Sequence, residues 1–357
     1  MDGKVNIFAD VPSFINLLTN PEFVKGRDLK YLVRQRAKVY LVIEQEILDQ
    51  RWNDAEDVLR KTCDAYDIPC PQARPKLAVI FQNPALSYQL DPFGLWLINA
   101  TEQDINRIKE SYGVWMLNPA TILDDFFYLH HKREYEKDDI IDGSSNNGWA
   151  NYIEELTLLG KQLPPLNAVV INDRYLLNNT DDRAADLYGL AGLNSLEKLF
   201  SAVLPQNLQI PFQLTIYCQQ PPIDMDLTDT LVEEFRTHLQ ALRTYPIRIE
   251  FIYDVSKHKR TFHSNYFLFD IDRGYDTFDW NDYTKLNGEN YFCIESYHND
   301  PYCTGDTNYI TARKKLKIIK AQCDSVKASP DTSNGDLTKV KRVDLPDSGE
   351  IENRLFS

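Results

Sequence analysis

The segment Lys257-His258-Lys259-Arg260-Thr261-Phe262-His263-Ser264-Asn265 puts an imidazole, a guanidinium and an amide into one short run. An imidazole can attack or move a proton near neutral pH, a guanidinium forks onto phosphate oxygens, and an amide orients both by hydrogen bonding. The run follows a strand-like stretch at residues 247–253 and enters another at 267–271, so its side chains alternate across a sheet surface. That placement points to a phosphodiester-handling pocket. The competing reading is structural: His258 and Arg260 cap a loop or pair with Asp254 and Asp270.

The elements that must hold this run follow an alternating grammar. Residues 5–10 read as a buried strand carrying Asp10 to its carboxyl end, and Pro12 opens a helix with Phe14, Ile15, Leu17 and Leu18 on one stripe. Residues 39–43 form a second apolar run, followed by an acidic helical stretch to Tyr66, and 76–81 and 95–98 are further strand candidates. Thr101-Glu102-Gln103-Asp104 predicts a helix start with a reciprocal cap, ending at Gly113. Residues 114–117 return as a strand and Pro119 starts a helix through Leu129.

Residues 132–149 read as a linker, because a charge run at 132–139 and Gly143-Ser144-Ser145-Asn146-Asn147-Gly148 bring little apolar surface. The second half predicts strands at 166–171, 212–218, 247–253, 267–271 and 290–294, with helices at 195–204 and 228–242. A basic helix at 309–323 sets Ala312, Leu316, Ile319 and Cys323 on one stripe among Arg313, Lys314, Lys315, Lys317 and Lys320. The pattern is that of an α/β protein with two Rossmann-like α/β domains, the C-terminal one carrying a mixed sheet. Their expected bounds are 1–131 and 150–323, with a disordered tail at 324–357.

Composition bounds the function. A chain of 357 residues exceeds the usual size of one growing core, and 43% hydrophobic residues suffice for two. The net charge of −14 repels polyanions at long range, so any nucleic-acid site must be a local basic island. Six cysteines at 63, 70, 218, 293, 303 and 323 form no Cys-x-x-Cys pair and read as reduced structural thiols. No leader or membrane-spanning run is evident, so a cytoplasmic protein is expected. Walker-type, dinucleotide-binding, serine-elbow and His-Glu-x-x-His motifs are missing, and no organic cofactor is expected.

His258-x-Arg260-x-x-x-x-Asn265 resembles the phospholipase D superfamily motif His-x-Lys-x-x-x-x-Asp, over residues 165–295. The resemblance implies that His258 is a nucleophile or general acid, that Arg260 grips phosphate and that Asn265 supports the pocket. It also implies a homodimer pairing two copies of the motif, since the other candidate, His130-His131-Lys132, lies in the charged run. The segment is similar as well to non-catalytic phospholipase D-like domains that keep His-x-Arg and bind partners or phosphorylated head groups. A toxin or defence role directed at nucleic acid follows from the resemblance alone.

The first half resembles a PIN-type nuclease layout, with Asp10 after the first strand and Asp104 after a later one. That likeness implies magnesium or manganese held by Asp10, Glu44 or Glu46, Asp104 and Asp124 or Asp125. The ordinary alternative makes Asp10 and Asp104 helix caps. Asp173 and Arg174 end an apolar strand where α/β proteins open a crevice, and are candidate substrate contacts. A turn role for Asn172 and Asp173 competes with that reading. Phe278, Trp280, Tyr283, Tyr291 and Tyr297 either stack on bases or pack a core. Arg313, Lys314 and Lys315 on the basic helix offer a cationic patch to phosphate, to an acidic partner or to the protein's own carboxylates, the last being the ordinary reading.

Overall fold

The computed structural model describes residues 4–19, 31–42, 59–65, 72–73, 87–118, 129–177, 191–219, 225–253, 260–272, 274–275, 277–279, 282–298, 305–328, 340–343 and 352–357. The chain is an α/β protein with one parallel and one mixed sheet. It divides into unit 1 (Met1–Tyr128, Ser296–Arg313 and Ser357) and unit 2 (Leu129–Glu295 and Lys314–Phe356).

Unit 1 runs β1 (Val5–Asp10), α1 (Val11–Thr19), β2 (Ala37–Val42), β3 (Gln72–Ala73), β4 (Leu95–Leu97), α2 (Glu102–Tyr112) and β5 (Trp115–Leu117). All neighbours are parallel, in the order β3-β2-β1-β4-β5. Phe8 stacks on Trp96 at 4.5 Å and on Tyr40 at 5.5 Å, so one aromatic layer ties three strands together. Thr101 caps α2 by accepting from Asp104 N at 3.2 Å, and Gly113 ends it at φ 60°, a left-handed turn that suits glycine. The strand expected at 76–81 and the helix expected from Pro119 lie outside the described residues.

Unit 2 contains β6 (His130–Tyr135), α3 (Gly148–Leu158), β7 (Ala168–Asp173), α4 (Ala191–Val203), β8 (Phe212–Cys218), α5 (Met225–Ala241) and β9 (Ile247–Tyr253). It continues with β10 (Arg260–Ser264), β11 (Phe267–Ile271) and β12 (Asn290–Ser296). Helix α6 (Asn308–Ala328), which begins in unit 1, β13 (Val340–Val343) and a 3-10 turn at Arg354–Phe356 follow. The sheet order is β13-β9-β8-β7-β10-β11-β12-β6. Strands β7, β8 and β9 are parallel, whereas β10 turns antiparallel against β7.

One face of this sheet carries the core, where Trp149, Tyr152, Leu196, Phe200 and Phe235 from α3, α4 and α5 bury Ile216, Phe251, Phe269 and Phe292. Alternation sends Glu250 to the other face, where Lys327 of α6 meets it at 2.9 Å. Helices therefore flank both faces.

Two expected boundaries move. Residues 132–149 are not a linker: the charge run forms β6, paired antiparallel with β12, and Asn147 caps α3 by accepting from Trp149 N at 3.0 Å. The Asn151 amide then holds the polar loop by donating to Ile141 O and Ser145 O. Buried hydrogen bonds supply the order that apolar surface does not. Of the tail expected from Asp324, residues to Ala328 continue α6, β13 pairs with β9, and the Asn353 amide donates to Val169 O at 2.9 Å. Residues 329–339 and 344–351 lie outside the described residues. Among the described residues, no helix is long and apolar enough to cross a membrane.

Candidate functional site

The order of strands in unit 2 reverses at one point. Chain progression runs β7 to β8 to β9 in one direction and then jumps back to β10 on the far side of β7. In open α/β sheets such a reversal is the usual place for a binding site, beside the carboxyl ends of the parallel strands. Because β10 is antiparallel, its first residue, Arg260, lies in register with Asp173, the last residue of β7.

Asp173 is 1% exposed. Burial pushes its carboxyl up from the ordinary range, while the Tyr175 N–H, the Arg260 charge and the Tyr275 N–H pull it back. Its Oδ1 accepts from Tyr175 N at 2.9 Å, so the expected turn role is real. Its Oδ2 faces Gly274, where an added Cβ would stand 2.4 Å away. Gly274 has φ 77° and also leaves room for the Arg260 side chain. Beneath them Tyr275 and Cys218 are buried, and desolvation first and Asp173 second push both hydroxyl and thiol up. Among the described residues, no hydrogen-bond partner meets the Tyr275 hydroxyl.

Two cations meet on one ring here. The Arg174 guanidinium lies 5.4 Å and that of Arg260 5.5 Å from the centre of Tyr175. Arg174 Nε is fixed by Gln219 Oε1 at 2.8 Å, and Arg260 Nη1 donates to the Asp272 carbonyl. Both side chains are half-buried, and each holds its fork by one anchor. Such an arrangement can grip an oxyanion with little loss of side-chain entropy.

The other predicted residues fall elsewhere. His258 lies outside the described residues, in the 254–259 connection from β9 to β10. Asn265 follows the last residue of β10, so it stands about five residues, or roughly 16 Å, from Arg260. The expectation that it orients the pocket is corrected. It is fully buried, its Oδ1 accepting from Asn167 N at 2.9 Å and Ala168 N at 3.1 Å, and its Nδ2 donating to Asn167 Oδ1. Its role is to hold the start of β7.

Arg313 belongs to unit 1, where it lies 4.2 Å over Phe93 and donates to Ser357 O at 2.9 Å. Lys314 and Lys315 fall in unit 2, where the Lys315 charge acts on Asp270. Phe278 packs at 5.1 Å on Trp149 and Tyr297 is buried, so both serve the core; Trp280 lies outside the described residues.

In unit 1 the strand order reverses between β1 and β4, and Asp10 spans that point. Its Oδ1 accepts from Ser13 N at 2.7 Å, capping α1, and its Oδ2 from Asn99 N at 2.9 Å. Asp104 is occupied with the Thr101 hydroxyl and Arg107. Among the described residues, no three-ligand group includes either aspartate. The other expected magnesium or manganese ligands, Glu44, Glu46, Asp124 and Asp125, lie outside the described residues.

Sequence reasoning missed Tyr175 as the shared platform and Asp272 as the anchor of Arg260. An aromatic directly after an Asp-Arg strand end was the only available signal. No protein-family model and no curated protein matches this chain.

Proposed function

We propose that unit 2 binds a phosphodiester, nucleic acid above all, at the carboxyl end of β7. The convergence of Arg174 and Arg260 on Tyr175 carries this reading. Two anchored guanidinium groups offer paired donors to phosphate oxygens, and the ring they share offers a base a stacking face. Lys257, His258 and Lys259 arrive in the connection that ends at Arg260, adding local positive charge to an acidic chain.

Cleavage in the phospholipase D-like manner assigns one further role. His258 attacks phosphorus to give a phosphohistidine while the departing alkoxide takes a proton from water; a second water then attacks phosphorus, gives its proton to solvent, and His258 leaves as neutral imidazole. Arg260 and Arg174 neutralise the charge that develops on the equatorial oxygens. Asn265 is buried at the start of β7 and does not stand as the motif's acid beside Arg260, which favours binding over fast turnover. A phosphodiesterase and nuclease screen of wild type, His258→Ala and Arg260→Ala tests both levels. Arg260→Ala should lose binding and any turnover, and His258→Ala should lose turnover alone. Unchanged binding by Arg260→Ala removes the site, and turnover surviving in His258→Ala removes the nucleophile.

A further inference from the structure

The far edge of the same sheet gathers a second set of donors. Strand β6 sits at the end of the sheet order, and its register with β12 sets His130 opposite Glu295 and Lys132 opposite Cys293. Paired residues share a face, as do residues two apart, so His130, Cys293 and Glu295 project to one side. One donor atom from each lies within 4.8 Å of the other two, and His130 Nδ1 is 3.4 Å from Glu295 Oε2.

Bonds of about 2.0–2.3 Å in a tetrahedron require donor separations of roughly 3.3–3.8 Å. The Glu295–His130 edge already has that length, and a modest side-chain rotation closes the rest.

We propose that His130, Cys293 and Glu295 form a site for a zinc-type divalent cation, clipping β6 to the sheet. One thiolate, one imidazole and one carboxylate make a borderline-soft set that suits zinc rather than magnesium or calcium, which prefer oxygen alone. The surroundings fit that charge. Asp270 on β11 acts electrostatically on both Cys293 and Glu295, so the face concentrates acidic groups that a dication relieves. Tyr291 hydrogen-bonds the Cys293 sulfur and serves as an outer partner of the thiolate.

Lys132 over the Tyr291 ring and Lys315 beside Asp270 bring positive charge near the cluster; neither competes as a ligand while protonated. Binding breaks the Cys293 S–H bond, forms the sulfur–metal bond and sends the proton to solvent, so affinity rises with pH. His130 is 56% exposed at its side chain, giving the ion an entry path.

The full chain, stripped with chelator, is titrated with cobalt(II) and then zinc(II). One equivalent of cobalt should produce a thiolate-to-cobalt absorption band that zinc abolishes, and zinc should protect Cys293 from alkylation in peptide maps. Cys293→Ser should remove the band. His130→Ala, an exposed change that leaves the fold intact, should weaken zinc binding by more than about 100-fold, beyond the loss of an outer partner. A band that persists in Cys293→Ser, or equal zinc affinity in His130→Ala, overturns the proposal. Neither outcome touches the Arg174–Arg260 site, which lies on a different strand pair.

Discussion

Arg260 and Asp173 face one another in register across β10 and β7, at the point where the winding of the sheet reverses. The pair sets a carboxylate under near-complete burial beside a half-buried guanidinium anchored on the Asp272 carbonyl. Asp173 fixes the turn through Tyr175 N, and Arg260 is anchored on the Asp272 carbonyl.

Asp173 should limit stability while it serves the site. Its native pKa is raised, chiefly by desolvation, so the native state holds the proton more tightly than the unfolded chain does. The resulting stability is full below the ordinary carboxylate range and is lost as pH rises through the native value. Asp173→Asn keeps the acceptor for Tyr175 N and removes the buried charge. Thermal unfolding at pH 8 should show a higher Tm for Asp173→Asn, with the gain vanishing towards pH 4.

Gly274→Ala should damage the same site from below. A Cβ there meets Asp173 Oδ2 at 2.4 Å and Arg260 Cδ at 3.1 Å, with the backbone already at φ 77°. Strain of about 1–3 kcal/mol is expected, together with displaced Arg260. Chemical denaturation gives the first and phosphodiester affinity the second.

Asn265→Ala should cost stability without touching the anion site. The change orphans two buried amides, those of Asn167 and Ala168, at about 1–3 kcal/mol each. Denaturant titration should show the loss, while the affinity of the folded protein stays at the wild-type value.

Unit 1 should weaken in acid through His298. Burial drives its pKa down to about 3, with the ring packed against Tyr309 at 5.9 Å and Trp115 at 6.2 Å. The unfolded chain protonates this histidine near pH 6.5 and the native one only near the depressed value. Stability is therefore present above about pH 6.5 and falls by about 1.4 kcal/mol per pH unit below it. His298→Phe should flatten that acid limb in a pH series of unfolding curves.

The parallel strands were legible because each is an apolar run bounded by turn residues, as at 212–218 and 247–253, and both bounds stand. The Thr101 cap and the Gly113 stop were equally plain, since their partners lie within three or four residues. Strand β6 was hidden because a sheet edge tolerates charge, and His-His-Lys-Arg-Glu offers no apolar alternation. Asn265 was misread for a different reason. Its motif spacing is local, whereas its actual partner, Asn167, lies far back in the chain. Asp173 and Arg174 were readable as a strand end, but no periodicity announces that Arg260 pairs beside them or that Tyr175 lies under both.

The most direct measurement is the equilibrium affinity of a labelled single-stranded oligonucleotide for wild type, Arg260→Ala and the Arg174→Ala/Arg260→Ala double variant at two salt concentrations. Each charge-assisted contact contributes about 1.5–3 kcal/mol, so roughly a tenfold or greater loss is expected for the single change, a larger one for the double, and a shallower salt slope for both. Equal affinity and equal salt slope across the three proteins would contradict the site.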